Sequence, residues 1–470
     1  GKALKKLVPG IRTVLLQPCA SFNGRLADSP DYLWTWNDTV SVTDFLLRSV
    51  ADGKAAGGVA FLEWQPVTRA FPQESAALRD SLARALEYLS SAAATRSYWA
   101  WRWLRNSLRF GLSARRFCLP KRVSGPILLA CAGPSLALTL RGYDQGSSNA
   151  ALWALASAEA ALRARDYEPE LVIATDPGHW NDMHLRDTLR YGTPLAMSPS
   201  ASAPRALLEG SSPILPLATG LAFEEAAIRA AGARAVKAGN AGTVAGTALS
   251  LALGTGAAKV YCIGMDLAAD AARAHAEPYA LDPIDHERSG RLSPRESLTA
   301  IGLYERFPDT RGDWRVSRAF NAYSADSYVL PEHRGRASRV SPSPVDTDIE
   351  RMGARVFASE LAACRRDGPP AGSLELYETD VKRPERASIL LRWMEEEAHR
   401  LAGMIVREAQ AGKFGPVGTE DALFLLALAS SDAAPYIAEA ARGLPSEQSS
   451  ERALVGLKRG LVRVKELCDA

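Results

Sequence analysis

The sequence is poor in the features that mark several large protein classes. It has six cysteines in 470 residues and no CxxC pair, so neither a disulfide framework nor a cysteine-rich zinc site is indicated. No apolar run reaches the ~18–20 residues of a membrane-spanning helix. The opening GKALKKLVPGIRTVLLQP has no small-residue cleavage site of the kind that ends a signal peptide. We therefore expect a cytoplasmic protein with free core cysteines, among them Cys131 and Cys262.

An excess of charge of one sign is also lacking. The 56 Lys and Arg residues nearly balance the 53 Asp and Glu residues, so the formal net charge is only +3. Proteins that coat nucleic acid or anionic membranes depend on a large positive excess, and this sequence is not of that kind. The composition, 47% apolar and 23% charged, is ordinary for a globular protein. A chain of this length is expected to form about two to four domains.

Changes of pattern along the chain predict three parts. Residues 1–120 read as an N-terminal α/β domain with linking helices: RTVLLQPCASF and GGVAFLEWQP resemble strands, and residues 72–111 have helical periodicity. Residues 346–470 carry Leu at helical spacing and many Glu/Arg pairs, which predicts a C-terminal helical bundle.

The central part, residues 121–345, alternates short apolar runs with Ala-rich helical stretches. Unpatterned apolar strands that alternate with helices are typical of a parallel sheet covered on both faces. We therefore predict an α/β fold with a Rossmann-like, doubly wound, mostly parallel sheet. The periodicity fades between residues 268 and 345, which predicts either an irregular lid or substrate loop or partial disorder. The strand candidates are PILLACA (126–132), AALWALA (150–156), LVIATDP (171–177), PLAMSPS (194–200), PILPLA (213–218) and KVYCIGMD (259–266).

Ligands of such sheets bind beyond the carboxyl ends of the strands. PILLACA is followed there by Gly133, Pro134 and Ser135. Gly133 allows a tight turn and a close approach of ligand, Pro134 stiffens the loop, and Ser135 offers a hydroxyl and an N–H group to a phosphate or ribose. The loop matches neither GxGxxG nor the P-loop, so an ordinary turn remains the alternative.

Further polar residues follow the later strands. Asp176 ends LVIATD and is either a ligand-binding carboxylate or a helix cap. Gly242 and Thr243 open a helix rich in small residues, whose N-terminal N–H groups suit an anion. The next strand ends in Gly264 and, two residues later, Asp266. Together these loops predict one crevice for a negatively charged nucleotide.

The set AGPSL, PELVIATDP, GTVAGTALSLALGTGAAKVYCIGMDLA and AHAEP resembles the motility-associated factor (Maf) flagellin glycosyltransferases. That family contains the domain called 6-hydroxymethylpterin diphosphokinase MptE-like. The upstream RSYWAWRWLRNSLRF is similar to its Trp–Asn segment, and the resemblance covers about residues 95–275. The GPSL loop and the later helix–strand pair are also similar to bacterial CMP-dependent sialyltransferases.

The resemblance implies a glycosyltransferase that moves a nonulosonic (sialic-like) acid from a CMP donor to Ser or Thr of flagellin. The CMP-activated sugar is then a donor substrate, flagellin is the protein acceptor, and no separate cofactor, nucleic acid or membrane span is implied. Oligomeric state is left open. The nucleotide-binding residues expected from the matching motifs are Gly133, Pro134, Ser135, Ser157, Asp176, Gly242, Thr243 and Gly264.

Two residues are expected to act in catalysis. His275, in AHAEP, matches the family histidine and is the candidate base or phosphate-side acid, since imidazole titrates in the useful range. Asp266 is expected to anchor the floor of the site. Arginines that could meet the sugar carboxylate or the phosphate are Arg273, Arg311, Arg315 and Arg318.

Two other functions stay open. A pterin diphosphokinase would use ATP and Mg²⁺, with Asp176 and Asp266 as metal-side carboxylates. A non-catalytic nucleotide- or flagellin-binding scaffold stays open for two reasons. Met265 stands where the family usually has Gln, and Ala130, Cys131 and Ala132 stand before GPS, where family members commonly have further Gly. No metal site is predicted, because loop and helix-start roles explain the polar residues of DPGHWNDMH, and a Ser hydrolase is not indicated because GxSxG is absent.

Overall fold

In the computed structural model, most of the chain from residue 60 onward is described. The described residues are 6, 13–18, 30–35, 40, 42, 45–46 and 60–469, apart from 122, 124, 142, 147, 240–241, 271–272, 318, 321–327, 365–373, 412–416, 441–442 and 444. The chain divides into two compact units, one of Gly1–Trp101 with Trp393–Glu466 and one of Arg102–Arg392 with Leu467–Ala470.

The strands are short, and most of them belong to one large sheet. They are β1 (Val14–Gln17), β2 (Tyr32–Thr35), β3 (Arg116–Pro120), β4 (Ile127–Ala130), β5 (Ala151–Leu155), β6 (Leu171–Ala174), β7 (Leu195–Met197), β8 (Ile214–Ala218), β9 (Val236–Lys237), β10 (Val260–Ile263), β11 (Asp309–Arg311), β12 (Trp314–Val316), β13 (Ala337–Val340), β14 (Glu350–Arg351) and β15 (Leu374–Glu378).

Helices fill most of the remaining described chain. They are α1 (Gln65–Ala70), α2 (Pro72–Ser113), α3 (Leu136–Thr139), α4 (Ala156–Arg163), α5 (Asn181–His184), α6 (Arg186–Tyr191), α7 (Arg205–Glu209), α8 (Ala222–Ala230), α9 (Val244–Gly254), α10 (Asp282–Arg288), α11 (Arg295–Arg306), α12 (Ala354–Ala363), α13 (Arg383–Ala411), α14 (Thr419–Ala429), α15 (Ala434–Ala440) and α16 (Glu447–Asp469). None of them, in the part of the chain described, is both long and apolar enough to cross a membrane.

The second unit is built on one large sheet in the order β14-β13-β10-β4-β5-β6-β7-β8-β3-β15, with β9 paired to β8. All its pairs are parallel except β15 with β3, which is antiparallel. The residues of β4, β5, β6 and β10 are all buried, because helices cover both faces. This confirms the predicted doubly wound, mostly parallel α/β fold.

Alternate residues of the central strands pack on opposite faces. Ile127 and Leu129 of β4 join a cluster with the small and apolar residues of α9, while Leu128 and Ala130 join a cluster with α4 and α12. The continuous apolar run ILLA is therefore needed, since neither face of β4 meets water.

The order of the strands fixes where a ligand can bind. From β4 the chain proceeds through β5, β6, β7 and β8 on one side, and then returns to place β10 on the other side of β4. The connections after β4 and β10 therefore diverge from adjacent strands, which is the topological switch point of such a sheet. The loops that follow Ala130 and Ile263 stand at this point.

The first unit combines a small parallel pair with helices. β1 pairs with β2, and a cluster of Trp34, Leu46, Leu78 and Leu82 packs this part against α2. Among the C-terminal helices, an added Cβ on Gly460 of α16 would lie 2.4 Å from the carbonyl oxygen of Leu428. This close helix approach explains a glycine inside a helix. The predicted N-terminal strand in RTVLLQ and the C-terminal helices are confirmed.

Three local predictions differ from the structure. GGVAFLEWQP is wrong as a strand over its described residues: residues 60–64 have no regular structure and α1 begins at Gln65, where Pro66 suits a first helical turn. Its residues 57–59 lie outside the described chain. The stretch 268–345 is not irregular throughout, because it contains α10, α11 and β13.

The third difference concerns the predicted boundaries. β3 lies within residues 1–120 and β15 within residues 346–470, yet both extend the central sheet. β15 reads LELYE and is largely exposed, as an antiparallel edge strand can be. The two compact units divide the chain differently from the three predicted parts. The segment after residue 346, which we expected to be helical, contains β14 and β15 besides its helices.

The cysteines described are free, and Cys118, Cys131, Cys262 and Cys468 are buried. Burial raises the pKa of the Cys262 thiol to about 12, so this side chain behaves as a small apolar group. The predicted core thiols at positions 131 and 262 are confirmed.

Candidate functional site

The loops after β4 and β10 are joined by one buried carboxylate. The Ser135 backbone N–H donates to Oδ2 of Asp266 at 2.8 Å, and the Ser135 hydroxyl donates to Oδ1 at 2.6 Å. The Ser341 hydroxyl, after β13, also donates to Oδ1. Asp266 is only 1% exposed. We call this arrangement the Ser135–Asp266 clasp.

Two glycines allow the clasp to form. The N–H of Gly133 donates to the carbonyl of Gly264 at 2.8 Å. A Cβ on Gly133 would lie 2.4 Å from both Oδ2 of Asp266 and the carbonyl oxygen of Gly264. Gly264 has a φ of +66°, in the left-handed region that side chains rarely adopt. The glycines of AGPS and IGMD are therefore required by contact between the two loops.

A buried arginine supports the second loop from β13. Arg339 is 1% exposed, and its guanidinium donates to the carbonyls of Met265 at 2.6 Å and Asp266 at 3.2 Å. It also donates to the carbonyl of Val345. Burial lowers the pKa of Arg339, while the neighbouring Asp266 carboxylate acts in the opposite direction. No pattern in the sequence predicts a role for Arg339, because it lies in the stretch 268–345, where the periodicity fades.

The clasp bears directly on the predicted roles of its members. Ser135 and Asp266 direct their polar atoms at each other, and Pro134 is buried beside them. A direct contact of Ser135 with a nucleotide, and a catalytic role of Asp266, therefore stay predictions. The structure does bring Gly133, Ser135, Gly264 and Asp266 together, as the sequence predicted for one crevice.

The neighbouring strands place two more of the predicted residues at the same edge of the sheet. Ser157 is half-buried in the first turn of α4, directly after β5. Asp176 is exposed after β6, and its Oδ1 accepts from the Gly178 N–H at 2.6 Å. Asp176 thus caps the turn that it begins, a role similar to the helix cap that was one of the two alternatives for this residue.

The start of α9 has the geometry expected of a capped helix. Thr243 is the N-cap, and its hydroxyl accepts from the Gly246 N–H at 3.0 Å. Gly242 precedes it, exposed and with a φ of +70°. The next residue, Val244, packs against the apolar cluster that contains Met265. The helix start therefore shares its packing with the loop after β10.

His275 belongs to a cluster of three rings. Its imidazole stacks on the Tyr279 ring with centroids 4.1 Å apart and planes at 11°. The Tyr279 hydroxyl lies 3.4 Å from Nε2 of His184. The Ala276 N–H donates to the carbonyl of Ala132 at 2.8 Å, which holds this segment at the carboxyl end of β4. We call these residues the His184–Tyr279–His275 cluster.

The cluster is neutral at neutral pH. The pKa of His275 is lowered to about 4. Burial is the largest cause, and the nearby His184 and Arg306 lower it further. Burial also lowers the pKa of His184 and raises that of Tyr279 to about 12. Nδ1 of His184 is buried and has no hydrogen-bond partner among the described residues. A neutral imidazole that can accept a proton therefore stands beside the clasp.

The sequence does not predict this cluster. It places His184 only in the polar stretch DPGHWNDMH, and no motif marks Tyr279. The contact between them joins residues 95 positions apart, which no local pattern reveals. The available signal was the four-residue spacing of His275 and Tyr279.

Two of the four predicted arginines, Arg273 and Arg315, have partners within the protein. Arg273 pairs with Asp270 at 3.3 Å, and the Arg315 Nε donates to the carbonyl of Phe307 at 2.9 Å. Arg311 is exposed, and Arg318 lies outside the described residues. Their contacts with a carboxylate or phosphate stay predictions. Within the described ranges, no group of three or more His, Cys, Asp or Glu side chains comes together as a metal site would need.

Fold and site together define the class as a doubly wound, Rossmann-like α/β domain with polar loops at its topological switch point. The family model described as 6-hydroxymethylpterin diphosphokinase MptE-like matches residues 112–271. This range holds strands β3 to β10 and both loops of the clasp. The resemblance to the MptE-like family that the sequence predicted is confirmed for this domain.

Two similar proteins extend beyond that domain. An uncharacterized protein of Treponema pallidum (strain Nichols) is 26% identical over 336 residues, which are 70% of this chain and 72% of that protein. A Maf glycosyltransferase structure from Magnetospirillum magneticum AMB-1 has a TM-score of 0.50 and 11% identity, and covers 93% of this chain. The chain spans 64% of that structure's length. The likeness shows a shared fold, whereas the similarity to sialyltransferases stays a prediction.

Proposed function

We propose that the protein is a glycosyltransferase that moves a nonulosonic acid from a CMP donor to a Ser or Thr hydroxyl of flagellin. The observation that carries the proposal is the position of His275, a neutral imidazole at the carboxyl end of β4 beside the switch point. The fold shared with a structure titled a Maf glycosyltransferase supports the reaction class. Donor and acceptor are inferred from the sequence resemblance.

The proposed reaction needs a proton acceptor and a site for an anionic leaving group. The acceptor oxygen attacks the anomeric carbon of the sugar while the bond from that carbon to the CMP phosphate oxygen breaks. His275 takes the hydroxyl proton, and CMP leaves with the bonding electrons. Positioning and electrostatics are expected to dominate, because the transition state is oxocarbenium-like.

We expect His275 to act as the base only when the donor is bound, because its pKa is low in the free protein. With a pKa of about 4 the free imidazole is neutral but a weak base. An anionic phosphate or carboxylate placed nearby favours the protonated form and raises the pKa of the imidazole. Binding of the donor would therefore bring the base toward its useful range.

The phosphate is expected to lie near the start of α9. Gly242 is exposed there, and Thr243 opens a helix whose first N–H groups and dipole favour an anion. Because the clasp occupies the Ser135 hydroxyl, we expect the loop after β4 to contribute shape rather than a hydroxyl ligand.

Ligand-dependent unfolding tests the proposal against its rivals. CMP without metal should stabilise the chain by about 2.7 kcal/mol at a concentration 100 times its Kd. Stabilisation by ATP only with Mg²⁺ would favour the pterin diphosphokinase instead. A response to no nucleotide would favour a scaffold.

An assay of sugar transfer to flagellin tests whether His275 acts as the base. With a CMP-nonulosonic acid and flagellin, His275→Asn should keep CMP binding and lose transfer by about 10²–10⁴-fold. His286→Asn, an exposed change on α10, is the matched control and should transfer normally. Unchanged transfer by His275→Asn would contradict the proposed role.

A further inference from the structure

A row of arginines occupies one face of α2 near its carboxyl end. Arg102, Arg105 and Arg109 are spaced by three and four residues, which places them on one side of a helix. All three are half-buried.

The same face of α2 is fixed to the loops that follow β6 and β7. Nδ2 of Asn106, next to Arg105, donates to the carbonyl of Pro177 at 3.3 Å and to that of Ser200 at 3.0 Å. Strands lie about 4.8 Å apart, so β6 is about 10 Å from β4 along the sheet. The row is thus beside the same edge of the sheet as the clasp and the His184–Tyr279–His275 cluster.

Two arginines of the row, Arg105 and Arg109, form no ion pair with any described residue. Nε of Arg105 is also buried without a hydrogen-bond partner. Burial and the like charges of Arg109 and Arg102 lower the pKa of Arg105. The negative charge of Asp182 acts in the opposite direction and raises that pKa. The Asp182 carboxylate accepts its hydrogen bond from the Ser202 hydroxyl, at 2.9 Å.

Crowded positive charges that are partly removed from water are unfavourable unless an anion joins them. A carboxylate suits the site, because the planar guanidinium binds it through two parallel hydrogen bonds. Trp180 lies on the loop after β6, two residues before Asp182, and is 48% exposed. Its ring offers a flat apolar surface of the kind that sugars pack against.

We propose that Arg105 and Arg109 bind the carboxylate of the donor's acidic sugar, in a subsite beside the loops after β6 and β7. The inference rests on the proposed function, since it assigns the sugar end of the same donor. The nucleotide would then lie at the switch point, and the sugar would extend along the edge of the sheet toward α2.

Calorimetric titration of the full chain with CMP and with CMP-N-acetylneuraminic acid tests this subsite. The unmodified chain should bind the sugar nucleotide more tightly than CMP. Arg105→Gln should weaken binding of the sugar nucleotide by about tenfold, the loss typical of a charge-assisted hydrogen bond. Its affinity for CMP should be unchanged. Arg229→Gln, which removes an exposed arginine of α8, is the charge-matched control and should alter neither affinity.

The outcomes separate the subsite from the proposed function. If CMP binds but Arg105→Gln and the double variant with Arg109→Gln leave the sugar nucleotide's affinity unchanged, the subsite is wrong while the nucleotide site stands. If the variants weaken CMP equally, the row binds phosphate and the carboxylate assignment is wrong. If the unmodified chain binds neither ligand, the proposed function fails and the subsite fails with it. Thermal unfolding of each variant checks that it folds.

Discussion

At the scale of single residues, the loops after β4 and β10 are shaped by contact with each other. The sequence predicted that Gly133, Ser135, Gly264 and Asp266 come together, and the structure joins them by hydrogen bonds. It did not predict that Ser135 would use both its N–H and its hydroxyl on Asp266, because a Ser after a strand looks the same whether its partner is a ligand or a carboxylate 131 residues away.

Gly133→Ala is expected to destabilise the fold. The added methyl group would lie 2.4 Å from a carboxylate oxygen and a backbone carbonyl, neither of which can move freely. Overpacking of this kind costs about 1–3 kcal/mol of unfolding free energy, which denaturant titration measures. Gly254→Ala, where nothing lies within 4 Å of the new Cβ, is the control and should not destabilise. Equal stability of both variants would contradict the described approach of the loops.

Ser135→Ala should also reduce stability, because Asp266 would lose its 2.6 Å hydrogen bond from the hydroxyl while remaining buried. Leaving a buried acceptor short of a partner costs about 1–3 kcal/mol. Ser157→Ala, a half-buried position without a hydrogen bond from its hydroxyl in the described structure, should change stability by less than about 0.5 kcal/mol. A fully stable Ser135→Ala that loses CMP affinity would instead favour a direct nucleotide contact.

At the scale of elements, the buried strands were predictable and the edges were not. The runs ILLA, LVIA and VYCI are apolar on both faces, so the sequence alone identifies them as central parallel strands. β13 was not predictable because Ser338 and Arg339 are polar yet buried. Arg339 has its main partners, the carbonyls of Met265 and Asp266, far away in sequence. β15 was not predictable because an exposed edge strand resembles a loop or a helix in composition.

The cap of α9 provides a test at this scale. Thr243→Ala removes the side-chain oxygen that accepts from the Gly246 N–H, and should cost about 1 kcal/mol of unfolding free energy. Thr243→Ser keeps the hydroxyl and should retain most of that stability. Thermal or chemical denaturation distinguishes the two variants. If the Thr243→Ser and Thr243→Ala variants lose the same unfolding free energy, the hydroxyl is not acting as a cap.

At the scale of the whole molecule, the fold class is readable from the sequence, whereas the pairing of distant rings is a product of folding. His184 and Tyr279 meet only because the loop after β6 and the segment after residue 273 return to the same edge of the sheet. Their burial links the site to the stability of the chain.

Stability should therefore fall in mild acid. The pKa of His275 is 6.5 when unperturbed and about 4 in the folded chain, so between these values the unfolded chain binds more protons. Stability from this group is complete above about pH 6.5 and declines as pH falls toward 4, by about 3 kcal/mol at most. His275→Asn should flatten this dependence in denaturant titrations at pH 7 and pH 5, and the exposed His286→Asn should not. An unaltered slope in His275→Asn would show that His275 does not carry the effect.

The switch point between β4 and β10 is the proposed site of the CMP donor. A crystal structure of the protein with bound CMP tests this proposal most directly. We predict that the phosphate lies at the start of α9 beside Gly242 and Thr243, at the edge of the sheet where the hydrogen bond from Ala276 to Ala132 holds the segment of His275. CMP bound elsewhere on the chain, with apolar side chains filling this edge, would contradict it.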